Sequence, residues 1–328
     1  MSDSNVLLSV IIPVFNAEKY LLQTFDALDK QTIFDKLEII LVNDGSTDSG
    51  KQLCENYIKT HENAILINQD NIGVSGARNA GLKSIHGRYV TFLDADDYID
   101  SDLYEKELDL IMSNNAEIAI VDFKKRFSDG SEKKYRSDNQ LKTWNSNESI
   151  LRSFFSGEIG GQVVDKIFLT SALKKDTLFP SEYKVGEDAY FLYLFLKGIS
   201  RAVMDSEIAG YYYIVRDCSA MTGTFSSKHF DSVILSEIMY HECKDRGYLA
   251  DEAEAHFIHE TCKALEYAYK LGATKEFGDD IRGFLRTLRR YPIKKAKKYL
   301  VKRQFFGFIL MRFSPSVYLF FHKLLRIG

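Results

Sequence analysis

The sequence predicts an α/β fold: a mostly parallel sheet with helices on both faces, followed by a C-terminal helical region. Three observations carry this. Short apolar, β-branched runs alternate with amphipathic stretches from residue 8 to residue 121. The runs are apolar throughout rather than at alternate positions, as strands covered on both faces must be. Strand signals then stop near residue 228, and helical spacing continues to the end.

Taken in order, residues 8–13 read as the first strand, and Leu21, Phe25 and Leu28 give 17–30 helical spacing. Residues 37–42 are a second strand and 47–59 a helix, with Ser46 or Thr47 as its N-cap. A strand at 64–68, a helix at 74–84 and a strand at 89–93 follow. Then come a helix at 103–114, a strand at 117–121 and a polar hairpin turning at Asp129-Gly130. The helices after 228 break near Gly247, Gly272, Pro292 and Pro315. A boundary near 225 separates a first domain, 1–225, from a helical region, 226–328.

With 328 residues, 45% hydrophobic and 27% charged, the composition excludes a disordered or fibrous chain. Cys54, Cys218, Cys243 and Cys262 stand far apart with no CxxC, which argues against a disulfide framework or a zinc ribbon and for a reducing compartment. The start, MSDSNV, lacks the basic and apolar regions of a secretory signal, and no apolar run reaches the length of a membrane span. A cytoplasmic location is expected.

Residues 281–328 hold thirteen Lys and Arg and no Asp or Glu, whereas the rest of the chain holds thirty basic and forty-six acidic side chains. Lys294, Lys295, Lys297, Lys298, Lys302 and Arg303 precede the apolar stretch 305–311, and a second apolar patch, 317–321, lies between Arg312 and Lys323. Basic and aromatic residues interleaved in this way suit a helix lying in an anionic membrane interface through residues 292–328. The competing reading is a terminal helix packed on the domain or in an oligomer interface. Nucleic acid is excluded as a partner by the acidic body and the lack of a binding module.

In open α/β sheets ligands bind beyond the carboxyl ends of the strands. The first strand leads into Pro13, Phe15 and Asn16, the second into Asp44, the third into Asn71 with Arg78 beyond, and the fourth into Asp94, Asp96 and Asp97. Asp94 and Asp96 are two apart, so in extended backbone they face the same way. Two such carboxylates repel each other unless a cation joins them, and hard oxygen donors suit Mn²⁺ or Mg²⁺ carrying substrate phosphates. Asp44 read alone is a turn residue, and Arg78 a surface ion-pair partner. No GxGxxG follows the first strand, which removes a dehydrogenase.

Six segments in order resemble the family 2 glycosyltransferases of the GT-A fold. They are SVIIPVFNAEKYL (9–21), IILVNDGSTDSG (39–50), NIGVSGARNAGL (71–82), GRYVTFLDADD (87–97), GEDAYF (186–191) and YYYIVRDCSAMTG (211–223). The resemblance implies a Rossmann-like domain that transfers a sugar from a nucleotide diphosphate, with a UDP-sugar as donor, in bacterial surface-polysaccharide synthesis. It implies that Pro13, Phe15 and Asn16 wall the base while Asp44, Asn71 and Arg78 bond around it. Asp94 would face the ribose or metal, Asp96 would ligate the divalent cation, and Arg216 and Ser219 would touch the diphosphate. Asp188 would be the general base of an inverting displacement, with Glu187 holding the acceptor, a glycan or lipid-linked hydroxyl, or orienting the base.

Two departures stand out: Val163-Val164-Asp165-Lys166 lacks the aromatic the family often carries there, and Ile214 or Val215 stands where an Arg usually follows the tyrosines. Without the resemblance, Asp188 reads as a helix-start carboxylate. His256, His259 and Glu260, with Cys262 beyond, read as a partly exposed helix face rather than a metal site. Two rival functions remain at this point: a sugar-phosphate nucleotidyltransferase, whose Gly-rich first loop is missing from 13–18, and a non-catalytic nucleotide- or glycan-binding module.

Overall fold

The computed structural model describes residues 6–215 and 225–325. They fall into two compact units. The first is built from Met1–Ile150, Gln162–Ser181 and Leu194–Ser219, the second from Leu151–Gly161, Glu182–Tyr193 and Ala220–Gly328.

The first unit begins with the alternation read from the sequence: β1 (Leu8–Val14), α1 (Glu18–Asp29), β2 (Leu37–Asp44), α2 (Gly50–Thr60), β3 (Ala64–Gln69), α3 (Val74–Leu82) and β4 (Tyr89–Phe92). β5 (Tyr98–Ile99), α4 (Leu103–Ser113), β6 (Ile118–Val121), β7 (Phe123–Arg126), β8 (Glu132–Lys134), β9 (Leu141–Trp144) and α5 (Asn147–Phe155) follow. Then come β10 (Lys166–Leu169), α6 (Glu187–Leu196), β11 (Ala202–Asp205) and β12 (Tyr211–Ile214); residues 151–155 of α5 and 187–193 of α6 belong to the second unit.

Eight strands form one sheet in the order β3-β2-β1-β4-β10-β6-β11-β9. Its first half, β3 to β4, is wholly parallel, whereas β10 runs antiparallel to both its neighbours and β9 antiparallel to β11, so the sheet is mixed. β1 and β2 are buried almost end to end, which is why they read as continuous apolar runs. A second sheet, β5-β12-β7-β8, was not expected from the sequence beyond its hairpin and tyrosine strand. Its members are two to four residues long and partly polar, too short to show a period.

The start of α2 differs from the expectation. The helix begins at Gly50, and neither Ser46 nor Thr47 caps it. The Asp48 carboxylate accepts the Gly50 N–H at 2.8 Å and the Glu18 N–H at 2.9 Å, while Glu18 accepts the Ser49 N–H at 3.0 Å. The first two helices thus cap one another through carboxylates at their positive ends.

The second unit contains α7 (Asp231–Asp245), α8 (Ala250–Lys270), α9 (Gly278–Arg290), α10 (Ile293–Tyr299), α11 (Lys302–Phe313) and α12 (Pro315–Leu325). The 21-residue α8 is its spine; its buried face carries Ala255, Ile258, Cys262, Leu265 and Ala268. His256, Glu260 and Cys262 are buried there, which corrects the reading of a partly exposed face: a central helix is covered on more than one side. Among the described residues no helix is long and apolar enough to cross a membrane.

Candidate functional site

Adjacent parallel strands bring their carboxyl ends into one row, so the loops after β1, β2, β3 and β4 meet. The side chains of these loops tie them together. Asn16 stands at φ 50° and accepts the backbone N–H and the hydroxyl of Thr47 at 2.8 and 3.2 Å, while its own N–H donates to Ser46 Oγ at 3.2 Å. Asn43 accepts the Ser46 N–H at 3.1 Å and donates to Asn68 at 2.8 Å. Pro13 is half-buried, and Phe15 and Asn71 lie exposed on the rim, available to a flat ligand.

Asp44 is buried, and its carboxylate accepts the Gln69 amide at 2.7 Å and the backbone N–H groups of Ile72 and Gly73 at 3.0 and 2.8 Å. It is therefore more than a turn residue. It holds the loop that launches α3, placing negative charge at that helix's positive end. A carboxylate offers about four lone-pair sites, so a base N–H can still be accepted beside these donors. Gly45 makes this packing possible: its φ is +72°, and a Cβ there would lie 2.8 Å from the Asn71 nitrogen.

Arg78 is not on the surface. It is buried, donates to Asp94 Oδ1 at 2.9 Å, and places its guanidinium 5.9 and 5.3 Å from the ring centres of Phe92 and Phe179. A planar cation suits this slot, where Lys would lose both the stacking and the fork. Its bond also fixes the direction of Asp94.

The loop after β4 alternates in and out. Ala95 and Asp97 are buried and Asp94 and Asp96 half-buried; the segment is a turn rather than extended backbone, closed by the Asp97 N–H on the Asp94 carbonyl at 3.1 Å. Thr24 donates to the Ala95 carbonyl at 2.9 Å and locks the inward side. Burial, reinforced by the charges of Asp94 and Asp96, pushes the Asp97 carboxyl well above the usual range, against the bonds from Ile214 and Tyr211. Of the three carboxylates in these four positions Asp97 is turned inward, which leaves Asp94 and Asp96 as hard oxygen donors of the kind a divalent cation takes. Among the described residues no three His, Cys, Asp or Glu side chains converge on one point. Two protein carboxylates with the remaining positions left to phosphate and water is the usual Mg²⁺ arrangement.

Asp97, which closes the quoted segment GRYVTFLDADD, was named at the strand end but given no role by the sequence. It accepts the Tyr211 hydroxyl at 2.6 Å and the Ile214 N–H at 2.9 Å. A second grouping not read from the sequence joins the buried Glu107, Asp122, Asp165 and Lys166 with the half-buried Arg136. There Lys166 Nζ lies 2.5 Å from Asp165 Oδ1, and Arg136 lies 3.4 Å from Asp122. Apart from the adjacent Asp165 and Lys166, these residues sit on separate segments and share no spacing.

Glu187 and Asp188 open α6 within the second unit, both half-buried. Gly186 precedes them at φ +88°, where a Cβ would sit 2.9 Å from Ser232 Cα. Arg216 and Ser219 lie outside the described residues.

A sheet whose parallel half ends in a row of tied loops, with a carboxylate pair beyond β4, defines a Rossmann-like α/β domain. The family model for "Glycosyl transferase family 2" matches residues 9–176, half of the chain, and the chain belongs to that family. It is 33% identical over 230 residues to the minor teichoic acid biosynthesis protein GgaB of Bacillus subtilis, covering 68% of this chain and 25% of that one. It is 32% identical over 214 residues to a poly(ribitol-phosphate) beta-glucosyltransferase of Bacillus spizizenii, covering 64% of this chain and 32% of that one. The chain thus spans a third or less of the length of these relatives. Residues 1–349 of S. aureus TarS, solved in complex with UDP-GlcNAc, share the fold, with a TM-score of 0.68 and 21% identity over 94% of this chain and 87% of that one.

Proposed function

We propose that the chain is an inverting, metal-dependent glycosyltransferase that moves a sugar from UDP to a hydroxyl of a glycan or lipid-linked acceptor in bacterial surface-polysaccharide synthesis. The observation that carries this is the pair Asp94 and Asp96 beyond β4, with Asp94 held by the buried Arg78. The UDP-GlcNAc complex of TarS and the teichoic acid role in GgaB's name support the donor and acceptor classes.

In this reading Phe15 offers its exposed face to the base, Pro13 and Asn16 shape the wall, and Asp44 and Asn71 accept and donate around the ring. Asp96, with Asp94, holds Mn²⁺ or Mg²⁺. A cation held by these two carboxylates would supply positive charge to the departing diphosphate. Arg216 and Ser219, which follow the tyrosine run in sequence, contact that diphosphate. Asp188 takes the proton of the acceptor hydroxyl as it attacks, and one displacement inverts the anomeric carbon. Glu187 orients Asp188 or holds the acceptor. These two roles rest on the segment GEDAYF. The chain works at the inner face of the cell membrane, on the cytoplasmic side, with residues 292–328 against the lipid.

UDP release across a panel of UDP- and GDP-sugars, with Mn²⁺ or with EDTA, tests the reading. Metal-dependent release from one UDP-sugar, lost in Asp96→Ala, is expected. UDP binding with no turnover of any donor, acceptor present, would favour a non-catalytic binding module; formation of a nucleotide sugar from a sugar phosphate would favour a nucleotidyltransferase.

A further inference from the structure

The last two helices of the second unit carry apolar side chains on both faces. On α11, Phe308 and Met311 are fully buried, and Arg312 anchors that side by donating to the Leu288 and Tyr291 carbonyls at 2.8 and 2.5 Å. Two positions along a helix turn the side chain through about 200°. Phe306 and Phe313, each two positions from one of those buried residues, therefore point the opposite way. They are 49% and 69% exposed. Lys302 and Arg303 are exposed too and, four and three positions before Phe306, flank it on the same face. After one extended residue, Ser314, α12 continues the pattern with Val317 at 42% and Phe320 at 62% exposed. Gly307 lets α12 approach: a Cβ there would meet the Tyr318 ring at 3.4 Å.

A helix that is apolar on its outward face needs a cover. Charge decides which one. The last 48 residues carry thirteen basic side chains and no acidic one. A second copy of the chain would set this density against itself and be repelled. An anionic lipid surface attracts it, with about 1 kcal/mol gained per basic residue near the headgroups.

We infer that α11 and α12 dip Phe306, Phe313, Val317 and Phe320 into the boundary between headgroups and acyl chains of an anionic bilayer, with Lys302 and Arg303 on the lipid phosphates. This rests on the membrane-surface reading above and adds insertion to it. The depth is that of an interfacial helix, about 5–10 Å, not a span. Insertion and charge each contribute, so the loss of either weakens binding.

The test is co-sedimentation of the full chain with phosphatidylcholine vesicles, with and without phosphatidylglycerol, alongside sedimentation velocity without lipid. Wild type should bind the anionic vesicles and not the neutral ones. Phe313→Ser/Val317→Ser and Lys302→Glu/Arg303→Glu should each weaken that binding about tenfold or more, with UDP affinity and melting temperature unchanged. Wild type that ignores both vesicles overturns the membrane reading itself. Wild type that binds anionic vesicles while Phe313→Ser/Val317→Ser binds equally well overturns insertion alone. A dimer that this double variant dissolves, without vesicle binding, assigns the face to a second copy.

Discussion

The Tyr211 hydroxyl donates to the Asp97 carboxylate across 2.6 Å, and both side chains are buried. Through this bond, and the Ile214 N–H at 2.9 Å, the loop bearing Asp94 and Asp96 is fastened to β12. Asp100 repeats the link one turn on: its N–H donates to the Gly210 carbonyl at 2.8 Å, and its carboxylate accepts the Tyr212 hydroxyl at 3.2 Å. The strand β12, paired with β5 and β7, is therefore also tied by hydrogen bonds to the loop after β4. Tyr211→Phe removes one donor from a buried carboxyl, which should cost about 1–3 kcal/mol of stability. UDP affinity in the presence of Mn²⁺ should fall with it. Urea denaturation and calorimetry measure the two; unchanged values for both would show that the bond positions nothing.

Gly45 gives the second prediction. Alanine at φ +72° is strained, and its Cβ would strike the Asn71 backbone at 2.8 Å. Relief requires the 69–73 loop to move, and that loop is what Asp44 holds. Gly45→Ala should lower UDP affinity and destabilise the protein by about 1–3 kcal/mol. Calorimetry and thermal denaturation are the checks.

The parallel half of the sheet was legible because β1 and β2 are buried on both faces and long enough to show it. β10 and β11 were not: each has four residues, within the length at which apolar strands and buried helix segments look alike. The spacing singled out Asp94 and Asp96, and the structure places both half-buried about a turn. The partnership of Arg78 with Asp94 was not legible, because it joins α3 to the end of β4, and the slot between Phe92 and Phe179 exists only in three dimensions. Asp44 was read as an acceptor for a ligand, and the structure adds that it first serves its own chain.

Glu107 carries a pH prediction. It is buried on α4 with no hydrogen-bond partner to either carboxylate oxygen, beside the Asp165–Lys166 pair. Burial, then the Asp165 charge, holds its carboxyl well above the usual range, with Lys166 pulling the other way. A folded-state pKa above the unfolded value means that the folded protein binds the extra proton. Stability is then complete below the ordinary Glu range of about 4.3 and is lost as pH rises toward the folded pKa, about 1.4 kcal/mol for each unit between them. Glu107→Gln removes this slope. The variant should match wild type near pH 5 and exceed it in melting temperature at pH 8, by a gap that widens with pH.

His259 works in the opposite sense. Burial first, with Lys263 and His256 adding to it and Glu260 opposing, lowers its imidazole to about 4. A depressed folded pKa favours the neutral ring. That stability is present above the unfolded value of about 6.5 and is lost as pH falls through the folded pKa. Melting temperature should therefore drop between pH 6.5 and 4, and His259→Gln should shallow the drop. An equal drop in both proteins would move the acid sensitivity elsewhere.

Asp188 separates the catalytic reading from the structural one by size. A carboxylate in the first turn of a helix contributes about 0.3–1 kcal/mol through the helix dipole, and Asp188→Asn would cost no more than that if this were its whole role. A general base contributes about 10²–10⁴-fold to the rate. Asparagine fills the same volume and cannot take a proton. Turnover in Asp188→Asn should therefore fall by about that factor, with UDP affinity and melting temperature close to wild type. The measurement is UDP release with acceptor present, beside binding by calorimetry. A rate within threefold of wild type, roughly what a fraction of a kcal/mol amounts to, would return Asp188 to the helix and require another base.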